Sequence, residues 1–152
     1  MILLFDLDGT MICSKHRQNT LPDGTLNLEA WIENNTHEKI MLDTLLPLSE
    51  LWKYAQQRHH TIIVCTARVC SNSDFTFLEN NGLFFDYFLS RPAGNNMPDS
   101  TLKIALLKKW ASENGMTWRN FCAVTRAYDD SESVLKAYKE HNIESVNAKE
   151  FN

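Results

Sequence analysis

The sequence predicts an α/β fold in which helices cover both faces of a central parallel sheet. The first observation is a series of short apolar runs that end in polar turns, as buried strands do. The second is that these runs alternate with segments of helical spacing, which is typical of βαβ units. The third is size, because 152 residues is an ordinary length for one domain with its own core. We therefore expect residues 1–152 to form a single domain.

The predicted strands are the apolar runs of the chain. They cover residues 2–5, 61–65, 84–89, 123–125 and 143–146. The first is closed by Asp6, the second by Thr66, and the fourth by the adjacent pair Asp129 and Asp130. Such continuous runs indicate strands that are buried on both faces of a parallel sheet.

The predicted helices lie between these strands. They cover residues 28–32, 40–58, 74–82, 100–110 and 131–140. Thr36, Asp74, and either Asp99 or Ser100 are candidate N-caps, because their side chains accept backbone hydrogen bonds at helix starts. The segment 40–58 has helical spacing with an expected break near Pro47. The polar stretch 13–27 is expected to be a loop, within a small insertion around residues 11–37.

The composition excludes several classes of protein. Hydrophobic residues make up 43% of the chain and charged residues 22%, which is typical of globular proteins and not of disordered ones. No apolar run is long enough to cross a membrane, and the N-terminus lacks the basic segment of a signal peptide. A cytoplasmic protein without a membrane partner is therefore expected. The formal net charge of −4 does not favour a generally basic nucleic-acid-binding face.

Chemically active side chains follow several of the predicted strands. Asp6 and Asp8 end the first strand, Thr66 follows the second, and Asp129 and Asp130 end the fourth. The carboxyl ends of parallel strands meet at one edge of a sheet, where ligands bind in α/β folds. Four crowded carboxylates favour a hard cation with oxygen ligands such as Mg²⁺, and a phosphorylated substrate would complete its coordination.

A family resemblance rests on these same residues. The segment Asp6-Leu7-Asp8-Gly9-Thr10 matches the DxDGT signature of haloacid dehalogenase-like phosphatases, and it follows a strand as it does there. The expected order continues with Thr66, Lys103 and the pair Asp129-Asp130, so the resemblance covers essentially the whole chain. It implies a Rossmann-like three-layer sandwich with a central parallel sheet and a small or absent cap.

The resemblance also implies roles for these residues. Asp6 would be the phosphoryl acceptor, Asp8 the proton donor to the leaving oxygen, and Thr66 and Lys103 would hold the phosphoryl oxygens. Mg²⁺ would be held by the Asp6 side chain, the Asp8 backbone carbonyl and the acidic pair, with Asp130 preferred as the direct ligand over Asp129. Each side chain also has a structural explanation, since Thr66 can cap a helix and Lys103 can be a solvated helix charge.

A second, narrower resemblance concerns the phosphatase half of polynucleotide kinase-phosphatases, including viral ones. It rests on Ser90-Arg91-Pro92-Ala93-Gly94, on the segment 98–103, and on Tyr128-Asp129-Asp130-Ser131. It implies that Arg91 contacts phosphate and that Asp99 orients Lys103 or Arg91. Arg68 is a further candidate for the phosphate. Surface exposure for Arg91, helix capping for Asp99 and pairing with an acid for Arg68 remain the alternatives.

The chain departs from those bifunctional proteins in two respects. It has no GxxxxGK[ST] motif, and the turn after the second strand is Thr66-Ala67-Arg68 rather than the Ser-Gly-Arg type. The basic group Lys15-His16-Arg17 is either a guide for a phosphate backbone or an exposed loop.

Three hypotheses follow for the function. The first is a phosphomonoesterase for 3′-phosphate ends of polynucleotides. The second is a phosphatase of small metabolites, with 5′-(deoxy)nucleotides foremost. The third is a non-catalytic binding module of the same fold. The sequence predicts no particular oligomeric state.

Overall fold

The centre of the molecule is a parallel sheet. The computed structural model describes residues 1–19 and 21–152, so residue 20 of the predicted loop lies outside it. In chain order, strands β1 to β7 cover Ile2–Phe5, Ile12–Cys13, Thr44–Leu45, Thr61–Cys65, Tyr87–Leu89, Thr125–Asp129 and Glu144–Asn147. Five of them form the central sheet in the order β5-β4-β1-β6-β7, and every neighbouring pair is parallel. The predicted α/β class with a central parallel sheet is confirmed.

Helices cover both faces of this sheet. In chain order, α1 to α7 cover Leu28–Glu33, His37–Ile40, Ser49–Gln57, Asn72–Asn80, Asp99–Glu113, Trp118–Val124 and Glu132–Glu140. The longest, α5, has 15 residues. Within the described residues, no helix combines the length and the apolar character needed to cross a membrane.

The alternation of side chains along β1 builds two hydrophobic cores. Leu3 and Phe5 point to one face, where they pack with Trp52 of α3 and with residues of α4. Ile2 and Leu4 point to the other face and pack against α5, α6 and α7. A strand covered on both sides needs apolar residues at every position, which explains why β1 is a continuous apolar run.

Two predicted elements are wrong in part. The segment 40–58 is helical only after the expected break near Pro47, because α2 ends at Ile40 and the strand β3 precedes α3. The predicted core of the fourth strand, 123–125, begins too early, because Ala123 and Val124 are the last turn of the unpredicted helix α6. Helix and strand adjoin there without a turn residue, so the two patterns merge in the sequence.

The insertion lies between β2 and β3, which pair antiparallel at its base. It carries α1 and α2 and is closed by an ion pair between Arg17 and Asp43. The guanidinium donates from Nε to Oδ1 at 2.9 Å and from Nη2 to Oδ2 at 2.6 Å. Both residues are buried, so this pair holds the two ends of the insertion together.

Candidate active site

The sheet topology brings the sequence-predicted strand ends together. Strand β1 lies between β4 and β6, and Phe5 is in register with both Val64 and Tyr128. The residues that follow on the three strands therefore share one edge of the sheet. Asp6 and Asp129 lie side by side there, and Thr66 follows one residue further along β4, although the three are far apart in sequence.

Asp6 is held by a hydrogen bond on each carboxylate oxygen. Lys103 Nζ donates to Oδ1 at 2.9 Å, and Thr10 Oγ1 donates to Oδ2 at 2.9 Å. The backbone NH of Asp6 donates to the carbonyl of Tyr128 at 3.1 Å. These hydrogen bonds fix the orientation of the Asp6 carboxylate. Asp6 is 7% exposed, so a small part of it remains accessible at this edge of the sheet.

Lys103 reaches the site from the first turns of α5. Its ammonium group is buried and donates both to Asp6 and to Asp129 Oδ2, the latter at 2.6 Å. Burial alone would lower the pKa of Lys103, but the two carboxylates outweigh burial and raise it well above its usual value. Lys103 is therefore the cation of a buried ion-pair cluster and not a solvated helix charge.

Asp8 lies beside Asp6 but faces different partners. Ser14 Oγ donates to Oδ1 at 2.8 Å, and Arg68 Nε lies 2.9 Å from Oδ2. Burial raises the pKa of Asp8 above the usual aspartate value, and Arg68 offsets only part of that rise. A carboxyl group with a raised pKa can carry a proton and donate it, as a general acid must.

Arg68 pairs with two acids, one on each side. Besides Asp8 it contacts Asp74, whose other oxygen accepts from the backbone NH of Ser71 at 2.9 Å. The sequence suggested Asp74 as the N-cap of α4, whereas Ser71 is the cap and Asp74 is its partner in a capping box. Asp74 thus links the start of α4 to the site through Arg68.

Thr66 ends β4 at the floor of the site. It is 1% exposed, and its backbone NH donates to the carbonyl of Leu89 at 2.9 Å. Its hydroxyl accepts from the backbone NH of Arg68 at 3.2 Å, so its own proton is free to point elsewhere. That geometry suits a donor to a phosphoryl oxygen, which stays a prediction.

The metal-binding candidates converge as well. Carboxylate oxygens of Asp6, Asp129 and Asp130 lie within 4.8 Å of one another. Burial and the neighbouring carboxylates raise the pKa of Asp129 to about 6 and that of Asp130 to about 7. Crowded acids with raised pKa values are the setting that a divalent cation relieves.

Gly9 leaves space for this cluster. Its φ is +79°, and a Cβ added there would lie 2.2 Å from Asp130 Oδ2. Asp129 is already engaged, with Lys103 on Oδ2 and the backbone NH of Ser131 on Oδ1 at 3.0 Å. The carboxylate oxygens of this cluster fit Mg²⁺. That Asp130 rather than Asp129 is the direct ligand stays a prediction.

Arg91 and Asp99 form a pair beside the turn that follows β4. Arg91 donates from Nη2 to Asp99 Oδ1 at 2.8 Å and from Nε to the carbonyl of Ala67 at 2.7 Å. It also donates to the carbonyl of Met97 at 2.8 Å. Of the two partners considered for Asp99, the structure places it on Arg91 and not on Lys103. Contact of Arg91 with phosphate stays a prediction.

The basic group Lys15-His16-Arg17 does not act as one charged loop. Arg17 is buried against Asp43, and His16 Nε2 lies 2.7 Å from the same carboxylate. Only Lys15 is left facing solvent without an acid partner in the described part of the chain. An exposed loop is therefore wrong for Arg17 but not for Lys15 and His16, and guidance of a phosphate backbone stays a prediction.

Sequence reasoning missed several side chains that support the site. Thr10 and Ser14 hold the two catalytic candidates, and the letter T of the DxDGT signature was the available signal for Thr10. Trp31 of α1 lies near two guanidinium groups, with ring-centre distances of 4.7 Å to Arg17 and 5.9 Å to Arg68. No local pattern marks such contacts, because they join the insertion to distant loops.

A cleft of about 280 Å³ opens beside Asp8 and Asp130. Its lining includes Asp8, Ser14, Lys15, Gln18, Asp130 and Lys149. The cleft therefore borders the carboxylate cluster at Asp130, and it is lined by an exposed lysine from each of two distant segments.

The sequence is similar to that of a phage enzyme. The family model described as Bacteriophage T5 5'-deoxynucleotidase matches residues 1–92. The 5'-deoxynucleotidase of Escherichia phage T5 is 40% identical over 86 residues, which are 54% of this chain and 35% of that protein. The chain thus spans about a third of that relative. The family match includes Asp6, Asp8 and Thr66 but ends before Lys103.

Structure comparison extends the likeness over the whole sheet. A chain of the Pnkp1/Rnl/Hen1 complex is 18% identical with a TM-score of 0.68, over 96% of this chain and 45% of that one. A haloacid dehalogenase-like hydrolase of Streptococcus pneumoniae is 11% identical with a TM-score of 0.69, over 96% of this chain and 83% of that one. A haloacid dehalogenase-superfamily hydrolase of Geobacter sulfurreducens is 17% identical with a TM-score of 0.64, over 96% of this chain and 88% of that one. At these identities the likeness is one of fold.

Proposed function

The chain belongs to the bacteriophage T5 5'-deoxynucleotidase family, and we propose that it is a phosphomonoesterase acting on nucleotides. Its fold is that of haloacid dehalogenase-like hydrolases. The observation that carries the proposal is the division of labour between two adjacent carboxylates. Asp6 is fixed by Lys103 and Thr10, whereas Asp8 has a raised pKa and faces Arg68 and Ser14.

Asp6 is the nucleophile in this proposal. One of its carboxylate oxygens forms a bond to phosphorus while the bond from phosphorus to the leaving oxygen breaks. The product is an aspartyl-phosphate and a free alcohol. Lys103 holds the Asp6 carboxylate in position, and the free proton of Thr66 is available to a phosphoryl oxygen.

Asp8 supplies the proton that the leaving oxygen needs. In the second half of the reaction the resulting carboxylate takes a proton from water, and that water displaces phosphate from Asp6. Arg68 and Ser14 hold Asp8 for both steps. When bound by Asp6, Asp130 and the Asp8 backbone carbonyl, Mg²⁺ would neutralise the phosphate and the crowded acids.

Replacement of Asp8 with asparagine should lower nucleotide hydrolysis by about 10²- to 10⁴-fold, because proton donation to the leaving group is lost. The loss should be much smaller for p-nitrophenyl phosphate, whose leaving group departs without protonation. Phosphate release from both substrates, measured on one enzyme preparation, checks this. An equal loss on both would remove Asp8 from the role of general acid.

Two substrate classes fit the site. The match to the phage 5'-deoxynucleotidase family supports 5′-deoxynucleoside monophosphates. The second candidate, 3′-phosphate ends of polynucleotides, is supported by the small insertion, which leaves room for a polymer end. The Arg91–Asp99 pair beside Ala67 also fits the resemblance to polynucleotide kinase-phosphatases.

A phosphate-release panel tests the proposal. It compares a deoxynucleoside 5′-monophosphate, a deoxynucleoside 3′-monophosphate, a 3′-phosphorylated oligonucleotide and ribose 5-phosphate, each with Mg²⁺ and after chelation by EDTA. We expect Mg²⁺-dependent release that is faster from the nucleotides than from the sugar phosphate. A preference for ribose 5-phosphate, or full activity in EDTA, would contradict the proposal.

A further inference from the structure

We propose that the cleft between Lys15 and Lys149 is a subsite for a second phosphate group on the substrate, carried by the leaving nucleoside. The inference rests on the proposed function, because it takes Asp8 as the proton donor. It assigns the two lysines a binding role that the phosphoryl-transfer steps do not require.

The position of Asp8 determines where the leaving group lies. A proton donor must come within hydrogen-bond distance of the leaving oxygen, at about 2.6–3.2 Å. The nucleoside attached to that oxygen must therefore extend along a space that borders Asp8. The 280 Å³ cleft borders both Asp8 and Asp130, and its volume is close to that of small-ligand sites, which begin at about 300 Å³.

The charges in this cleft are arranged to receive an anion beyond the reacting phosphate. Two acids line the cleft, and neither is paired with the lysines. Asp8 is paired with Arg68, and Asp130 belongs to the carboxylate cluster that would hold Mg²⁺. Lys15 and Lys149 are both exposed. Among the described residues, neither of them forms an ion pair with an acid. The lysines that do are Lys53, Lys103 and Lys109. Two unpaired ammonium groups on opposite segments of one cleft attract a doubly or singly charged phosphate.

Polar groups between the lysines suit a nucleoside. Gln18 and Ser14 line the same cleft, and Gln18 Nε2 donates to Ser14 Oγ at 2.9 Å, which leaves the Gln18 carbonyl free to accept. Asn152 lies across the cleft and donates to the carbonyl of Thr10 at 3.1 Å. A leaving group with hydroxyls and a charged end meets matching partners here, whereas a purely apolar one does not.

The shared ligand chemistry is a phosphate one nucleoside away from the bond that breaks. It can be a terminal phosphate, as in a deoxynucleoside 3′,5′-bisphosphate, or a phosphodiester, as in a 3′-phosphorylated dinucleotide. Either substrate should be preferred over the corresponding monophosphate. The subsite thus predicts substrates that carry more than one phosphate group.

The test compares the double variant Lys15→Ala/Lys149→Ala with a matched control. The control, Lys136→Ala/Lys139→Ala, removes two exposed lysines from a separate groove of about 740 Å³ along α7 and β7. Kinetics are measured on a deoxynucleoside 3′-monophosphate, its 3′,5′-bisphosphate and a 3′-phosphorylated dinucleotide. We expect kcat/KM of the double variant to fall about five- to thirty-fold on the last two, since each exposed ion pair contributes up to about fivefold.

On the bisphosphate and the dinucleotide, the fall in kcat/KM should come from a higher KM and not from a lower kcat. On the monophosphate, kcat/KM should fall by less than about twofold. Loss on the bisphosphate alone identifies a terminal phosphate, and loss on the dinucleotide alone identifies a phosphodiester. Equal losses on all three substrates, or the same losses in the control variant, would overturn the proposal.

A binding measurement separates this proposal from the proposed function. In the Asp6→Asn background with Mg²⁺, calorimetry gives Kd for the monophosphate and the bisphosphate. If the protein hydrolyses none of the substrates, the proposed function fails. Tighter bisphosphate binding that is lost with Lys15 and Lys149 then still supports the subsite, and equal Kd values would reject it.

Discussion

Replacement of Asp6 with asparagine should abolish phosphate release, with a fall of about 10⁴-fold or more. The amide cannot form the bond to phosphorus, and no other carboxylate is held by both Lys103 and Thr10. The fold should survive, because Lys103 keeps its contact with Asp129. Phosphate release and thermal unfolding on the same preparation check both statements.

The chain contains its own control for this substitution. Asp23-Gly24-Thr25 repeats the letters DGT in an exposed turn, where Asp23 accepts from the backbone NH of Thr25 at 3.0 Å. Asp23→Asn should leave activity unchanged. A folded Asp6→Asn protein with normal turnover would remove Asp6 from the role of nucleophile.

Replacement of Lys103 with methionine should destabilise the protein by about 3–5 kcal/mol and should also abolish activity. Methionine has a similar length, so the change removes the charge rather than the volume. The carboxylates of Asp6 and Asp129 would then be buried without their cation, next to Asp130. Chemical denaturation of the metal-free protein measures the free energy of unfolding.

The size of this loss should depend on pH. Burial and Asp6 raise the pKa of Asp129 to about 6 in the folded protein, whereas an aspartate in the unfolded chain has a pKa of about 3.9. Lys103 itself lowers the pKa of Asp129, so its removal should raise that pKa above about 6. Below pH 6 the carboxyl group is mostly protonated in both folded proteins, whereas above the higher pKa of the variant it is a buried carboxylate without its cation. The difference between variant and wild type should therefore be largest above pH 7 and shrink as the pH falls toward 6.

Lys109 on the same helix provides the comparison. Its side chain is 75% exposed and lies 3.9 Å from Glu113. Lys109→Met should change the free energy of unfolding by less than about 1 kcal/mol at any pH, as expected for a surface ion pair. Equal effects of the two substitutions would contradict a structural role for the buried ammonium group.

Prediction from sequence succeeded where local pattern and burial agree. The strands at 2–5 and 61–65 have the predicted bounds, because both faces of each strand are covered and every position is apolar or nearly so. It failed at 40–58, where the spacing of the leucines continues a helical period through β3. That strand exists only because it pairs with β2, and pairing between distant segments leaves no local period.

The sequence by itself determined the fold class and the order of reactive groups along the chain. Asp6, Thr66 and Asp129 each follow an apolar run, and parallel strands bring their carboxyl ends to one edge. The convergence of these residues depends only on strand direction and on which residue follows each strand.

Only the tertiary structure decided which charged side chains pair with each other. Asp6 pairs with Lys103, Asp8 with Arg68, and Asp99 with Arg91. The tertiary structure also buried Arg17, which the sequence placed in an exposed basic group, and it brought Lys15 and Lys149 to one cleft. The physical reason is that an ion pair depends on the distance between two charges in space. That distance is fixed by the packing of helices and loops far apart in the chain, and spacing along the sequence does not encode it.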